Sequence, residues 1–340
     1  MKTYNTQPYK AVEYNANAIM KAAEVAGSLI ADIKYDGVRL NVVVAEDAEA
    51  LYLSRTSKTI PALEHLNGFD ERWNKFLSDD RQIYPQGLMI DGEAMVKGVD
   101  FNASSGILRS KWLSKKNVGF TTQPDFQLVK GMGKITFELN PERLKVVVYA
   151  VLPLDVVESG EDYEVMNCLM QEHAKVTVSL LQEYFPEVEW VNPESHDVFS
   201  IDQLEMLYEY VREHGHEGLV VKDPLGFYRR GKKTGWWKLK PSEEADGEVI
   251  GLVWGTKGKA NEGKVIGFEV KLENGKVVDA TNISQSLMAE FTANVKEHGV
   301  NYYNGWSCQI GYMEETPDGN LRHPAFQRFR GTEDNPKEKI

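Results

Sequence analysis

The sequence has little cysteine, no long apolar run and no apolar N-terminal segment. Its two cysteines, Cys168 and Cys308, lie far apart without a zinc-like spacing, which favours a reduced protein over a disulfide scaffold. No run of 18 or more apolar residues is present, which argues against a transmembrane helix. The polar residues 1–5 lack the apolar centre of a signal peptide. We therefore expect a cytoplasmic protein with no membrane partner and, at 340 residues, about two domains.

The chain also lacks an overall positive charge. Its net charge is −12, which taken alone speaks against a nucleic-acid partner. Nevertheless, seven basic residues and a single acid lie between Lys222 and Lys240. Residues 97–134 predict a loop with a second basic face, at Arg109, Lys111, Lys115 and Lys116. Such clusters either produce a local positive field or are ordinary solvated loops.

The stretch DIKYDGVR, residues 32–39, contains a candidate nucleophile, Lys34. Lys34 ends an apolar run, and Asp36-Gly37 predicts a tight turn into a second run at 42–45, hence a strand–turn–strand hairpin. A lysine in this position is held on a rigid element yet can reach a cleft, as a nucleophilic amine must. An ordinary solvated lysine is the alternative at this point.

Hydrophobic periodicity predicts mixed helices and strands up to residue 240. Asp91-Gly92-Glu93 predicts an acidic turn between short strands at 88–90 and 94–96. The predicted helices are 11–26, 61–66, 71–77, 164–184 and 201–214, and the other predicted strands are 51–54, 145–152, 216–222 and 236–240.

The composition of the sequence changes near Pro241. Residues 242–247 are polar and acidic and predict an interdomain linker. Beyond them, short strands separated by glycine-rich turns, with one helix at 284–296, favour a small β-barrel of the oligonucleotide-binding (OB) type. The sequence therefore predicts an α+β fold with domains at 1–240 and 241–340.

Lysines, acids and one aromatic residue from separate stretches together suit a single reaction. A lysine of pKa near 10.4 is protonated at neutral pH, and nearby cations such as Lys238 or Lys240 would lower its pKa. The same cations would stabilise charge on a phosphoryl group. Glu93 and Glu217 suit Mg²⁺, and the face of Tyr149 can stack a purine. The set favours nucleotidyl transfer to lysine over a hydrolase triad.

Six motifs in order, KYDGVR, SRT, DGE, VVYA, EGLVVK and WWKLK, resemble those of the nucleotidyltransferase superfamily, which contains ATP-dependent DNA ligases and mRNA-capping enzymes. Over nearly its whole length the chain is similar to the compact ATP-dependent DNA ligases of short-tailed phages. The resemblance implies an adenylation domain of antiparallel sheets and helices followed by an OB-fold barrel. It also implies ATP and Mg²⁺ as cofactors, nicked double-stranded DNA as partner, a monomer, and the host cytoplasm if a phage encodes the chain.

The resemblance also implies roles for individual residues. Lys34 would be adenylated, with Lys238 and Lys240 as further catalytic residues, and Glu217 with Glu93 would bind Mg²⁺. The nucleotide would be bound by Asp32, Ile33, Lys34, Tyr35, Arg39, Arg55, Glu93, Tyr149, Lys222, Lys232 and Lys238. Within that set, the backbone around Asp32 and Ile33 would read the base edge. Arg39, Arg55 and Glu93 would hold the ribose and orient the nucleotide, and Tyr149 would stack on adenine. Lys222, Lys238 and Lys240 would surround the α-phosphate, with Lys232 near the phosphate path. Arg322, Arg328 and Arg330 would approach the pyrophosphate.

Two alternatives share some of these features. A capping guanylyltransferase carries the same lysine motif, and a non-catalytic DNA-binding protein could keep the barrel and the basic cleft. An NAD⁺-dependent ligase is disfavoured because only 33 residues precede Lys34 and no four-cysteine zinc site follows.

Overall fold

The computed structural model describes residues 3–122, 126–128, 133–241, 243–315, 320–332 and 334–338. Its α-helices are Ala16–Ala26 (α1), Glu71–Leu77 (α2), Phe101–Leu108 (α3), Leu154–Ser159 (α4), Asn167–Tyr184 (α5), Ile201–Glu213 (α6) and Gln285–His298 (α7). Its first strands are Lys10–Glu13 (β1), Leu29–Lys34 (β2), Val38–Ala45 (β3), Glu49–Ser54 (β4), Gly68–Phe69 (β5), Gly87–Val96 (β6), Leu144–Pro153 (β7), Tyr163–Met166 (β8), Glu189–Val191 (β9) and Ser195–Val198 (β10). The later strands are Gly218–Lys222 (β11), Phe227–Tyr228 (β12), Lys232–Leu239 (β13), Glu243–Trp254 (β14), Val265–Leu272 (β15), Val277–Ala280 (β16), Ser307–Tyr312 (β17), Glu314–Glu315 (β18), Leu321–Arg322 (β19) and Ala325–Phe329 (β20).

The chain divides into two compact units. The first comprises Met1–Val12, Glu24–Asp197 and Lys222–Trp236, and the second comprises Glu13–Ala23, Val198–Val221 and Trp237–Ile340. No helix within the described residues is long and apolar enough to span a membrane.

A six-stranded sheet of order β5-β4-β3-β6-β7-β9 forms the frame of the first unit. Its central strands β3, β6 and β7 are antiparallel, and only the edge pair β7–β9 is parallel. These strands are almost continuously apolar and buried, as expected when both faces of a sheet are covered. Against this sheet packs α5, and α2 packs on α5 in turn, with the rings of Trp73 and Phe185 4.1 Å apart.

The predicted hairpin around Lys34 is wrong. Strand β2 lies beside β10, whereas β3 belongs to the six-stranded sheet, so the chain crosses from one sheet to another between them. Gly37 does not adopt a left-handed φ, as a tight Asp-Gly turn would require. A Cβ at Gly37 would instead lie 2.7 Å from both the Ala94 carbonyl oxygen and Glu93 Cγ. The glycine is therefore needed for the close approach of this crossing to β6.

The acidic turn predicted at residues 91–93 is also wrong, because β6 runs without a break from Gly87 to Val96. Between Asp91 and Gly92 the pairing of β6 with β7 shifts register. Gly92 fits this bulge because a Cβ there would overlap the Val147 carbonyl oxygen. The strand therefore carries Asp91 and Glu93 on a rigid sheet rather than in a loop.

Two further stretches differ from prediction. The helix expected at 11–26 is divided into β1 and α1, and the loop expected at 97–134 contains α3. The carboxylate of Asp100 caps α3 by accepting from Ala103 N at 2.8 Å. The serines and the glycine inside α3 have low helix propensity, so the composition of this stretch does not predict a helix.

The predicted C-terminal β domain is confirmed in the second unit. Five antiparallel strands in the order β16-β15-β14-β17-β20 surround a core centred on Phe268, against which Phe291 of α7 packs. The linker prediction is wrong for 243–247, because these residues begin β14 and pair with β17. Ser242, also assigned to that linker, lies outside the described residues.

Candidate active site

Lys34 is the last residue of β2, as the sequence predicted. The rest of this strand is buried, so the half-buried Lys34 side chain starts from a fixed backbone. The positive charge of Lys34 acts on the carboxylate of Glu93, on β6. Burial raises the pKa of Glu93 to about 7, although the positive charges of Arg39 and Lys34 act in the opposite direction. A change in this electrostatic environment near neutral pH can therefore ionise or protonate Glu93.

Asp91 organises the polar cluster beside Glu93. Arg39 donates two hydrogen bonds to its carboxylate, Nε to Oδ1 and Nη2 to Oδ2, both at 2.6 Å. The carboxylate also accepts from Asn41 Nδ2 at 2.8 Å and from the Tyr228 hydroxyl at 2.6 Å, and the side chain is fully buried. Arg39 is thereby fixed with its guanidinium carbon 5.2 Å from the centre of the Tyr149 ring. The sequence predicted Asp91 only as a turn residue, although its place in DGE was a signal of a larger role.

A buried ion pair lies next to Tyr149. Lys222 Nζ is 2.6 Å from Asp32 Oδ2, and the side chains are only 4% and 2% exposed. The same ammonium is 4.1 Å from the centre of a Trp236 ring and 6.0 Å from that of Tyr149. Among the described residues, the other oxygen of Asp32, Oδ1, has no hydrogen-bond partner. Buried carboxylate oxygens are normally hydrogen-bonded, so this atom is a candidate to receive a ligand donor.

Trp236 and Trp237, in the strand predicted at 236–240, are both buried. Trp236 also lies against the Lys222 ammonium. The structure thus brings Asp32, Lys222 and Tyr149 together, whereas the predicted contact of Lys222 with the α-phosphate stays a prediction.

The remaining predicted residues of the first unit lie at its surface or beside β2. Tyr35 follows Lys34, and its hydroxyl accepts from Glu194 N at 3.3 Å. Ile33 is buried, and its N–H donates to Glu194 O at 2.9 Å. Arg55 is exposed in the turn after β4, and Lys232 is exposed at the start of β13. The roles of Arg55 and Lys232 stay predictions.

In the second unit each member of the predicted lysine pair has its own acidic partner. Lys240 Nζ donates to Glu217 Oε1 at 2.8 Å, and Lys238 Nζ lies 2.7 Å from Glu13 Oε1. Arg212 Nη1 donates to the Glu217 carbonyl at 3.0 Å and so fixes the backbone at that acid. A phosphate that approached either lysine would replace a carboxylate as its partner.

The arginines predicted to approach the pyrophosphate are partly described. Arg328 Nε donates to Gln309 Oε1 at 2.8 Å, and Arg330 Nε lies 3.8 Å from Asp246 Oδ1. The side chain of Arg322 lies outside the described part of the chain.

The donors available for a metal are carboxylates. No three His, Cys, Asp or Glu side chains of the described residues group as a ready metal site. Magnesium commonly takes only one or two carboxylates and completes its octahedron with water and substrate phosphates. Glu93 of the first unit and Glu217 of the second each carry carboxylate oxygens, the ligand type that Mg²⁺ takes, and their roles as metal ligands stay predictions.

Known proteins that are similar to this chain show its family. The ATP dependent DNA ligase domain family matches residues 8–240, and the DNA ligase C-terminal domain family matches residues 241–301 and 298–330. The chain is 60% identical to the DNA ligase of Enterobacteria phage T3 over 346 residues and 56% identical to that of Escherichia phage T7 over 359, and both alignments cover all of each chain. A solved structure of the ATP-dependent DNA ligase from bacteriophage T7 in complex with ATP superposes with a TM-score of 0.89 at 57% identity, covering 96% of this chain and 99% of that one. The chain therefore belongs to the ATP-dependent DNA ligases, enzymes with an adenylation domain followed by an OB-fold domain.

Proposed function

We propose that this ligase seals nicks in duplex DNA through AMP carried on Lys34. The deprotonated Lys34 amine attacks the α-phosphorus of ATP, a P–N bond forms, and the bond to pyrophosphate breaks. A 5′-phosphate oxygen at the nick then takes the AMP as the P–N bond breaks. Finally the 3′-hydroxyl attacks the adenylated 5′-phosphate, which forms the phosphodiester and releases AMP. The observation that carries this proposal is Lys34 at the end of a buried strand, beside Glu93 and the Arg39–Asp91 cluster.

The nucleotide base lies on Tyr149, with its amino group toward Asp32. Asp32 Oδ2 pairs with the Lys222 ammonium, which leaves Oδ1 as the carboxylate oxygen that can accept a hydrogen bond from the base. Adenine offers an amino donor at the position where guanine has a carbonyl acceptor. The Asp32–Lys222 pair therefore selects ATP over GTP, since an acceptor facing an acceptor leaves a buried group unpaired.

The lysines around the phosphates act through charge. Lys222 and Lys232 lie in the first unit, while Lys238 and Lys240 exchange their carboxylate partners for phosphate oxygens as the reaction proceeds. Pre-positioned cations of this kind stabilise the developing charge on a transferring phosphoryl group. Bound by Glu217 and Glu93, Mg²⁺ would supply further charge neutralisation.

We assign the adenylation function to residues 1–240 and the OB-fold function to 241–340, with a hinge near Pro241. The barrel closes first on ATP and later around the duplex. The enzyme acts as a monomer in the cytoplasm, that of an infected host if a phage encodes it. A crosslink between the two domains that left both adenylation and sealing intact would contradict the hinge.

Incubation with α-labelled ATP, followed by denaturing gel electrophoresis, tests the chemistry. Lys34→Ala should take no label, whereas Lys75→Ala, a control on the exposed face of α2, should label like the parent chain. Lys34→Ala should still seal a nick whose 5′-phosphate already carries AMP, because that step does not need the amine. Label from GTP on Lys34 would favour a guanylyltransferase, and a chain that never takes AMP would favour a non-catalytic DNA-binding protein.

Asp32→Asn tests base selection. The amide can donate to the guanine carbonyl, so the ratio of labelling rates from ATP and GTP should fall. An unchanged ratio, with normal labelling from ATP, would remove Asp32 from base recognition.

A further inference from the structure

A basic segment of the first unit has no part in the chemistry described above. Residues 101–124 contain no Asp or Glu, yet four cations lie between positions 109 and 116, in a chain whose net charge is −12. We call these four cations, Arg109, Lys111, Lys115 and Lys116, together with Trp112 and Lys134, the Trp112 platform.

The platform combines exposed cations with an exposed aromatic ring. Trp112 is 41% exposed, although large aromatic side chains are usually much more buried. Lys111 Nζ lies 5.4 Å and Lys134 Nζ 5.6 Å from the centre of its ring, within the range of cation–π attraction. The five cations of the platform are all exposed. The indole is therefore held between ammonium groups at the surface.

The platform is a rigid surface rather than a loose loop. Two backbone hydrogen bonds flank Trp112, from Leu113 N to Ile135 O at 2.8 Å and from Phe137 N to Lys111 O at 2.9 Å. The buried side chain of Asn117 donates to the Trp112 carbonyl at 3.0 Å. Ordering the indole therefore costs little at the moment of binding, since the backbone is already held.

The same strand that carries Glu93 anchors the platform. Where β6 ends, Val96 N donates to Ser104 Oγ of α3 at 2.8 Å. Helix α3 buries Ile107 and Leu108 and leads directly into the platform. The platform and Glu93 are thus fixed to one rigid element of the first unit.

Exposed cations around an exposed ring fit a polyanion that also offers flat apolar surface. Nucleic acid has both, since its phosphates attract lysine and its sugars and bases pack against aromatic rings. A small anion would engage only one or two of the cations and would leave the indole unused.

We propose that the Trp112 platform is a DNA-contact surface, where the lysines contact backbone phosphates and the indole packs against deoxyribose and base edges. This inference rests on the proposed function, because it assigns duplex flanking the nick as the ligand. It adds a contact that holds DNA while taking no part in transfer of AMP.

Binding of a labelled nicked duplex at several salt concentrations tests the proposal. Loss of two phosphate contacts lowers the slope of log affinity against log salt by about 1.8, so Lys115→Ala/Lys116→Ala should show about this loss. Trp112→Ala should weaken binding with the slope unchanged, because it removes packing and no charge. Trp112→Phe keeps a ring and should retain part of the affinity, and it replaces Trp112→Ala if that variant folds poorly.

The matched control is Lys75→Ala/Lys175→Ala, which removes two exposed cations from α2 and α5 of the same unit. If the platform variants bind DNA with the affinity and salt slope of this control, the proposal is overturned. Formation of lysyl-AMP from ATP, measured on the same variants without DNA, separates the two proposals. Weak DNA binding with normal labelling supports the platform as a DNA-contact surface. Absence of label from the parent chain would refute the proposed chemistry. In that case the salt slopes of the variants alone would test the platform.

Discussion

Replacing Glu93 with glutamine should make the stability of the first unit less sensitive to pH. Glu93 lies on a central strand of the six-stranded sheet, and burial raises its pKa to about 7 from a usual 4.5. The folded chain therefore holds a proton on Glu93 at pH values where the unfolded chain has released it. Glutamine has nearly the same shape and never ionises.

The sign and the size of the effect follow from linkage. Because the pKa is higher in the folded state, the contribution of Glu93 to the free energy of unfolding is fully present below about pH 4.5 and falls as pH rises through 7. A pKa difference between 4.5 and about 7 corresponds to about 3 kcal/mol. Above pH 8 the parent chain carries this whole penalty, so Glu93→Gln should be more stable there by up to that amount.

Urea unfolding of the full chain at pH 5 to 8.5, followed by tryptophan fluorescence, measures the difference. The gain from Glu93→Gln should be small at pH 5 and grow toward pH 8. Glu49→Gln, which removes an exposed carboxylate from β4 of the same sheet, is the control and should give no such trend. Unfolding curves for Glu93→Gln that shift with pH in parallel with the parent chain would refute the reasoning. The variant should also label poorly with AMP, since glutamine is a weaker ligand for magnesium.

Three other variants test the packing around the site and in the barrel. Arg39→Met should lower the free energy of unfolding by roughly 3–5 kcal/mol in urea titration, because it leaves the buried Asp91 carboxylate without its cationic partner. Gly37→Ala should cost about 1–3 kcal/mol and slow AMP labelling, since its Cβ would press on β6, whereas Gly106→Ala, with nothing within 4 Å, should be neutral or stabilising. Phe268→Ala should destabilise the barrel by roughly 3–5 kcal/mol, and an unchanged denaturation midpoint would contradict its central position.

The stretch around Lys34 shows which features a local sequence pattern predicts and which it does not. An apolar run ending in lysine indicated a nucleophile on a rigid strand, and the strand ends at that residue. The hairpin inferred from Asp36-Gly37 failed because the dipeptide also fits a crossing between sheets, where glycine is needed for space rather than for its φ. Spacing along the chain does not distinguish the two, because the neighbour that excludes a side chain belongs to β6.

The acidic residues show the same limit. DGE was recognised as a motif, but its division between a structural Asp91 and a Glu93 with a raised pKa depends on burial. The pairing of Asp32 with Lys222 joins positions 190 residues apart, and nothing in either local stretch indicates it.

By itself the sequence determined the order of the motifs, the lysine at the end of an apolar strand, the mixed α+β class and the antiparallel C-terminal sheet. These features follow from residue type and short-range periodicity, which act within a few residues. Only the tertiary structure decided which carboxylates are buried, which cations they hold, and that Trp112 lies among lysines at the surface. Those properties depend on the local dielectric and on side chains brought together from distant parts of the chain, and both arise only once the sheets have formed.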